Sequence, residues 1–101
     1  MSRLSAINKN NTREILIKRM ANKRKAMKEI IYNKETPDEE RFKTVLKLAQ
    51  LPRNSSKIRH RNRCESTGRP RGYYRKFKLS RVELRRCSSF GLIPGITKSS
   101  W

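Results

Sequence analysis

The chain has 101 residues, and its 27 Lys and Arg against 8 Asp and Glu give a formal net charge of +19. Only 34% of the residues are hydrophobic, whereas globular domains usually reach about 45 to 50%. This argues against a sizeable hydrophobic core formed by the chain alone. Charge of one sign at this density repels itself when the chain compacts, so the composition predicts a polyanionic partner. No run approaches the ~20 apolar residues of a membrane span, and no apolar signal segment follows the basic start. We therefore expect a soluble protein that is not secreted.

The charge is distributed in blocks along the chain. Residues 1–34 carry ten basic and two acidic side chains, residues 35–52 carry three basic and four acidic, and residues 53–86 carry thirteen basic and two acidic. A nearly neutral middle segment thus separates two segments suited to a polyanion. We accordingly divide the chain into a basic arm over 1–34, a neutral segment over 35–52 and a basic C-terminal part over 53–101.

The first predicted element is a long basic helix from about Thr12 to Tyr32. Four apolar residues recur on one face at helical spacing, namely Leu16, Met20, Met27 and Ile31. Lys23 interrupts this stripe, and basic residues flank it. A helix with so thin an apolar stripe more often lies on a partner than in a core of its own.

A second helix is predicted in the neutral segment. Thr36 is the expected N-cap, Pro37 the expected first helical residue, and the carboxylate of Glu39 the partner in a capping box. Apolar residues then follow at i, i+3, i+4 and i+7, namely Phe42, Val45, Leu46 and Ala49, before Leu51-Pro52 ends the helix. We interpret this apolar face as core.

The next stretch has the spacing of a zinc knuckle without its ligands. After an irregular basic segment over 53–63, Cys64 and Thr67 precede Ser80 and Glu83 with the spacing Cys-x2-Cys-x12-Cys-x2-Cys, of which one cysteine is present. A structural zinc site needs four thiolate or imidazole ligands, so we predict no metal and no other cofactor. Ser80 and Glu83 instead form a capping box for a short helix that runs to Phe90.

The loop between Gly68 and Arg81 is rich in Gly, Pro and Arg, with aromatic residues interleaved. This composition is typical of surfaces for folded RNA, where guanidinium groups contact phosphates and stack on bases. Three aromatic residues are candidates for base stacking or, alternatively, for a local hydrophobic plug beneath the loop: Tyr73, Tyr74 and Phe77.

These elements predict a mostly α, small and extended fold. It consists of a long basic N-terminal helix, a short capped middle helix, an irregular basic loop similar to a degenerate zinc ribbon, and a short C-terminal helix with a tail. The part over 53–101 is interpreted as one functional unit that binds RNA.

Five groups of residues are specific in combination. They are Leu51-Pro52-Arg53-Asn54-Ser55-Ser56, Arg61-Asn62-Arg63-Cys64, Thr67-Gly68-Arg69-Pro70-Arg71-Gly72, Arg75-Lys76-Phe77-Lys78-Leu79-Ser80-Arg81, and Pro94-Gly95 with Ser99-Ser100-Trp101. Together they resemble the small-subunit ribosomal protein S-fourteen family. The residues at 64, 67, 80 and 83 are similar to its longer, zinc-less form. Lys76 stands where plastid members have an aspartate, so the chain is more similar to alphaproteobacterial and mitochondrial members.

This resemblance implies a structural constituent of the ribosome with no catalytic role. It implies binding of small-subunit ribosomal RNA in the head, support of subunit assembly and of the RNA conformation near the decoding A site, and neighbours of the S-three, S-ten and S-nineteen families. Carried onto this chain, the RNA contacts are Arg53, Arg59, Arg61, Arg63, Arg69, Arg71, Arg75, Lys76 and Arg81.

Other classes of function have less support. His60 is the single histidine and stands among arginines, and no nucleophile elbow or phosphate-binding loop occurs, so we predict no enzyme, no small-molecule substrate and no membrane partner. The main alternative is a general nucleic-acid-binding or DNA-compacting basic protein. Cys64 and Cys87 are expected to be reduced in an intracellular compartment. No basic, acid-poor import leader is evident, so we expect synthesis where the protein works, either in a mitochondrion from an organelle genome or in a bacterium. An initiator methionine kept before the small Ser2 is less typical of bacterial processing, so we expect the mitochondrial ribosome, with the bacterial cytoplasm as the alternative.

Overall fold

The computed structural model describes residues 2–100, and Met1 and Trp101, the last residue of the quoted C-terminal motif, lie outside the described residues. Within this range the chain forms three α-helices, α1 (Leu4–Tyr32), α2 (Asp38–Gln50) and α3 (Arg81–Ser89). Two short 3-10 turns (Arg53–Ser55 and Lys57–Arg59) follow α2, and two short strands, β1 (Tyr73–Tyr74) and β2 (Leu79–Ser80), precede α3. The prediction of a small, mostly α protein is confirmed.

The chain folds as two compact units. One unit is Lys9–His60, and the other combines residues 2–8 with residues 61–100. Helix α1 therefore contributes its first residues to one unit and the rest to the other.

Helix α1 begins eight residues earlier than predicted, at Leu4 instead of Thr12. The sequence there contains several asparagines, which are weak helix formers. Tertiary contacts outweigh this preference: the amide of Ser2 donates to the carbonyl of Thr67 at 3.3 Å, and the side chain of Ile7 reaches Gly68. The end of the helix at Tyr32 is as predicted.

Helix α2 exposes the face that we interpreted as core, so that interpretation is wrong. Phe42 is 65% exposed, Val45 42% and Leu46 49%, and Ala49 is also exposed. The side turned inward carries Thr44, which is buried. Periodicity identifies an apolar face but not the surface that covers it, and in this chain no described residue covers the face enough to bury it.

The start of α2 also differs from the prediction. Its N-cap is Pro37 and no side chain makes a capping hydrogen bond there, so Thr36 is not the cap. The segment between α1 and α2 is held instead by Arg41, whose Nη2 donates to the carbonyls of Asn33 at 2.7 Å and Thr36 at 3.3 Å. Leu51 ends the helix in an extended conformation before Pro52, as predicted.

Burial of apolar side chains is minimal in residues 2–100. The one hydrophobic residue that is fully buried in this range is Cys64, at 3% exposure. Polar residues make up the rest of the buried set, among them Ser55 and Ser80 at 1% each. The other apolar side chains of the described residues are partly buried or exposed. None of the described helices is long and apolar enough to cross a membrane.

Candidate nucleic-acid interface

The knuckle, which we define as residues 64–83, is closed by backbone hydrogen bonds. The amide of Gly68 donates to the carbonyl of Cys64 at 2.8 Å, and the amide of Cys64 donates to the carbonyl of Arg69 at 3.0 Å. The amide of Glu65 donates to the carbonyl of Lys78 at 3.1 Å. The first two bonds close the turn after Cys64, and the third ties the first half of the knuckle to its second half.

The second half of the knuckle is a β-hairpin that the sequence analysis did not predict. Strands β1 and β2 are antiparallel, with Tyr73 opposite Ser80 and Tyr74 opposite Leu79. The turn closes through the amide of Lys78, which donates to the carbonyl of Tyr74 at 2.8 Å. Two-residue strands without clear alternation give no signal of period 2, which is why sequence periodicity missed them.

The hairpin places positive charge at its tip. Arg75 and Lys76 lie in the four-residue turn and are exposed, and the Lys76 ammonium lies 5.7 Å from the centre of the Phe77 ring. Lys78 adopts a left-handed backbone with φ of 56°, which is uncommon for a residue that is not Gly. The tip is therefore a compact, projecting basic group of side chains.

Helix α3 begins at the predicted cap. The Ser80 hydroxyl accepts a hydrogen bond from the amide of Glu83 at 3.3 Å, which satisfies one of the free amides of the first turn. The carboxylate of Glu83 turns to Arg86, whose guanidinium lies in direct contact with it. Hydrogen bonding from Arg86, against a smaller effect of desolvation, lowers the pKa of the Glu83 carboxyl.

The thiol of Cys64 lies in a buried site lined by hydrogen-bond donors. Its Sγ is 3.4 Å from the hydroxyl of Ser66. Burial disfavours the thiolate, but hydrogen bonds from the side chains of Ser66 and Thr67 and from the backbone of Ser80 and Thr67 outweigh it and lower the thiol pKa to about 6. Two of the positions that would hold zinc ligands in a knuckle, 67 and 80, thus support the remaining cysteine. In the range 2–100 no three His, Cys, Asp or Glu side chains converge as a metal-ligand set.

We expect a thiolate titration to detect this site. In a Cys87→Ser background, the ultraviolet absorbance of the Cys64 thiolate should rise with a midpoint near pH 6 in the folded protein and near pH ~8.5 in denaturant. Because the folded pKa is the lower one, the resulting stability is present above the unfolded pKa and is lost as the pH falls through about 6. A folded-state midpoint as high as that of the denatured protein would contradict the geometry.

Seven of the nine predicted RNA-contact residues are exposed, and Arg63 and Arg69 are partly buried. Seven of the nine, from Arg61 to Arg81, belong to the unit that holds the knuckle, whereas Arg53 and Arg59 belong to the unit Lys9–His60. Among the aromatic candidates, Tyr74 is 49% exposed, while Tyr73 and Phe77 are partly buried.

Arg63 has a structural contact that sequence reasoning did not anticipate. Its Nη1 donates to the Ser2 hydroxyl and to the carbonyl of Gly68, both at 2.9 Å. It therefore joins the start of the chain to the knuckle. Nothing in the sequence distinguishes this arginine from its neighbours, because every second residue from 59 to 63 is an arginine.

In the unit Lys9–His60, Arg24 of α1 holds the segment after α2. Its Nε donates to the Ser55 hydroxyl at 3.0 Å and its Nη2 to the carbonyl of Pro52 at 3.3 Å. Ser55 in turn donates to the same carbonyl. This segment forms two 3-10 turns where we predicted no regular structure, because proline and buried serine contacts impose local order.

A groove of about 700 Å³ lies between α1 and these turns. The groove is lined by the exposed side chains of Tyr32 and Ile58 and by three lysines, Lys25, Lys28 and Lys57. Lys57 is 29 positions from Lys28 in the sequence, so the grouping of these three lysines appears only when α1 and the turns pack together.

Within residues 2–100, a knuckle with one of four zinc-ligand positions occupied by cysteine and a basic hairpin tip defines a small basic protein of the nucleic-acid-binding class. Residues 47–100 match the family described as ribosomal protein S14p/S29e. Over all 101 residues the chain is 58% identical to the small ribosomal subunit protein uS14 of Brucella anthropi, with full coverage of both chains. It is 56% identical, again with full coverage of both chains, to the proteins of that name from Brucella ovis and Brucella melitensis biotype 1.

The chain belongs to this family of small-subunit ribosomal proteins. The resemblance drawn from its motifs is confirmed, including the similarity to alphaproteobacterial members. Members of the family are structural proteins of the ribosome and not enzymes, so the chain is a constituent of the small ribosomal subunit.

Proposed function

We propose that the chain binds small-subunit ribosomal RNA through the basic face of the knuckle. The observation that carries this proposal is the hairpin tip, where Arg75 and Lys76 are exposed in a turn closed by the hydrogen bond from the amide of Lys78 to the carbonyl of Tyr74. Phosphate contacts position a protein on RNA without reading its sequence. A rigid turn holds its cations in place before binding, so less conformational entropy is lost when they meet phosphate.

The remaining predicted contacts would add to those of the tip. Arg71 precedes β1 and Arg81 follows β2, and both are exposed, while Arg61 is held by a hydrogen bond from its Nε to the carbonyl of Pro70 at 3.2 Å. Arg53 and Arg59 would add phosphate contacts from the other unit. Among the three aromatic candidates of the loop, Tyr74 is the most exposed and therefore the best candidate to stack on an unpaired base.

The site in the ribosome follows from the family resemblance. We propose that the chain lies in the head of the small subunit, beside proteins of the S-three, S-ten and S-nineteen families, and supports assembly and the RNA conformation near the decoding A site. In this proposal the segments 1–34 and 53–101 face RNA, and the neutral segment 35–52 does not, because its net charge is slightly negative.

The compartment is a separate proposal. The relatives named above are bacterial, which favours the bacterial cytoplasm over the mitochondrion that we predicted from the sequence. Sedimentation of small subunits from separated cell fractions tests both possibilities.

Co-sedimentation and crosslinking test the function. A tagged chain should sediment with small ribosomal subunits, and ultraviolet crosslinks from the knuckle should map to RNA of the head. Loss of the tagged chain from the particles in moderate salt, or equal affinity of the purified chain for duplex DNA and for head RNA, would instead support a general nucleic-acid-binding protein.

A further inference from the structure

Acidic residues are concentrated in one short part of this basic chain. Five of its eight Asp and Glu lie in the twelve positions from 29 to 40, namely Glu29, Glu35, Asp38, Glu39 and Glu40. Glu29, Glu35 and Glu40 line one depression of about 430 Å³ between the end of α1 and the start of α2, within a single unit. Phosphate is repelled here, whereas lysine and arginine side chains are attracted.

The exposed apolar stripe of α2 begins at this acidic cluster. Asp38 and Glu39 lie four and three positions before Phe42, so they share its side of the helix. The Asp38 side chain is 98% exposed even though it pairs with Arg41 at 3.6 Å. The stripe continues along the helix with three further residues that are exposed in this chain: Val45, Leu46 and Ala49.

We propose that this stripe docks a neighbouring protein whose apolar side chains are flanked by lysine or arginine. The inference rests on the proposed function, since it takes the chain to be part of the small subunit, and it assigns the surface that does not contact RNA. An apolar helical face with anchors at i, i+3, i+4 and i+7 is the form that a hydrophobic groove of another protein accepts. The carboxylates at the start of the stripe fix the orientation of the bound partner, because they attract its cations. They also repel the phosphates of the RNA backbone.

A photo-crosslinking amino acid placed at Phe42 tests this docking in assembled small subunits. Phe42 is 65% exposed, so the replacement disturbs little packing within the chain. We expect crosslinks that survive ribonuclease and disappear with protease, to a peptide with basic residues beside apolar ones. The matched control is the same amino acid at Tyr74, which is 49% exposed and lies on the basic hairpin, where crosslinks should be to RNA. Crosslinks from position 42 to RNA, to a second copy of this chain, or to nothing would overturn the proposal.

Charge reversal provides a second measurement. With the crosslinker kept at position 42, Glu39→Lys should lower the yield of the protein crosslink at least about fivefold per incorporated chain, since like charges would face each other. Lys47→Glu is the control, because it lies on the opposite side of α2 and is equally unfavourable for the helix dipole. Equal losses in the two variants would mean that helix stability, and not docking, controls the yield, and the proposal would fail.

Sedimentation separates this inference from the proposed function. If the chain fails to enter small subunits, the proposed function is wrong and the docking surface falls with it. If the chain enters small subunits and position 42 crosslinks to RNA alone, the docking proposal is wrong while the function stands.

Discussion

Replacing Gly68 by alanine is expected to open the knuckle, whereas the same change at Gly91 is expected to do much less. Both glycines have a left-handed backbone, with φ of 76° and 69°, so both variants bear a strain of about 1 to 2 kcal/mol. A Cβ at Gly68 would also meet Ile7 Cδ1 at 2.5 Å and Cγ1 at 2.8 Å, whereas one at Gly91 meets nothing within 4 Å. Overpacking of this kind adds roughly 1 to 3 kcal/mol.

The buried thiol of Cys64 gives the readout for this comparison. Cys64 is 3% exposed, so a thiol reagent reaches it only when the knuckle opens, and a Cys87→Ser background leaves it as the single thiol. A destabilisation of about 2 to 5 kcal/mol in Gly68→Ala should speed its modification roughly thirtyfold or more. Gly91→Ala, which ends α3, should change the rate severalfold at most. Equal acceleration in the two variants would show that backbone strain alone, and not contact with Ile7, requires the glycine at position 68.

Local signals in the sequence predicted the elements that local interactions create. The cap at Ser80, the end of α2 before Pro52 and the end of α1 at Tyr32 were all foreseen, because each depends on residues within one or two turns. The early start of α1 was missed since it depends on contacts of Ser2 and Ile7 with residues more than sixty positions away. The hairpin was missed because its strands are too short to show a period.

The candidate site likewise has features that the sequence predicts and features that depend on the whole fold. Composition indicated a basic RNA surface over the loop, and seven of the nine chosen residues are exposed in the structure. Composition could not show which arginines make hydrogen bonds within the protein. Arg63 and Arg24 donate to serine hydroxyls that are far from them in the sequence. It also could not show that the apolar face of α2 is uncovered, because burial is a property of the whole fold and not of the helix.

Replacing Arg75 by alanine is expected to weaken binding to head RNA about tenfold or more, while Lys98→Ala should have little effect. Each change removes one exposed positive charge in the same unit. Arg75 stands in a turn fixed by hydrogen bonds, so its guanidinium can bind phosphate or stack in a defined place, a contact worth about 1 to 3 kcal/mol. Lys98 belongs to the irregular C-terminal tail, where a cation contributes mainly through released counterions.

Affinity measured against salt concentration separates these two contributions. Arg69→Ala with Lys9→Ala forms a second pair, in which the partly buried arginine of the knuckle is compared with an exposed lysine of α1. If binding depended on counterion release alone, all four variants would reduce the salt slope by about one unit or less and lose similar affinity. We expect both arginine variants to lose more affinity than the lysine variants even at salt high enough to suppress the counterion contribution. This excess identifies a docked site, because a contact held in a defined geometry persists when general charge attraction is screened. Equal losses of affinity across the four variants would show that the knuckle acts only as a general basic patch. The assignment of these residues as the RNA-binding site would then be wrong.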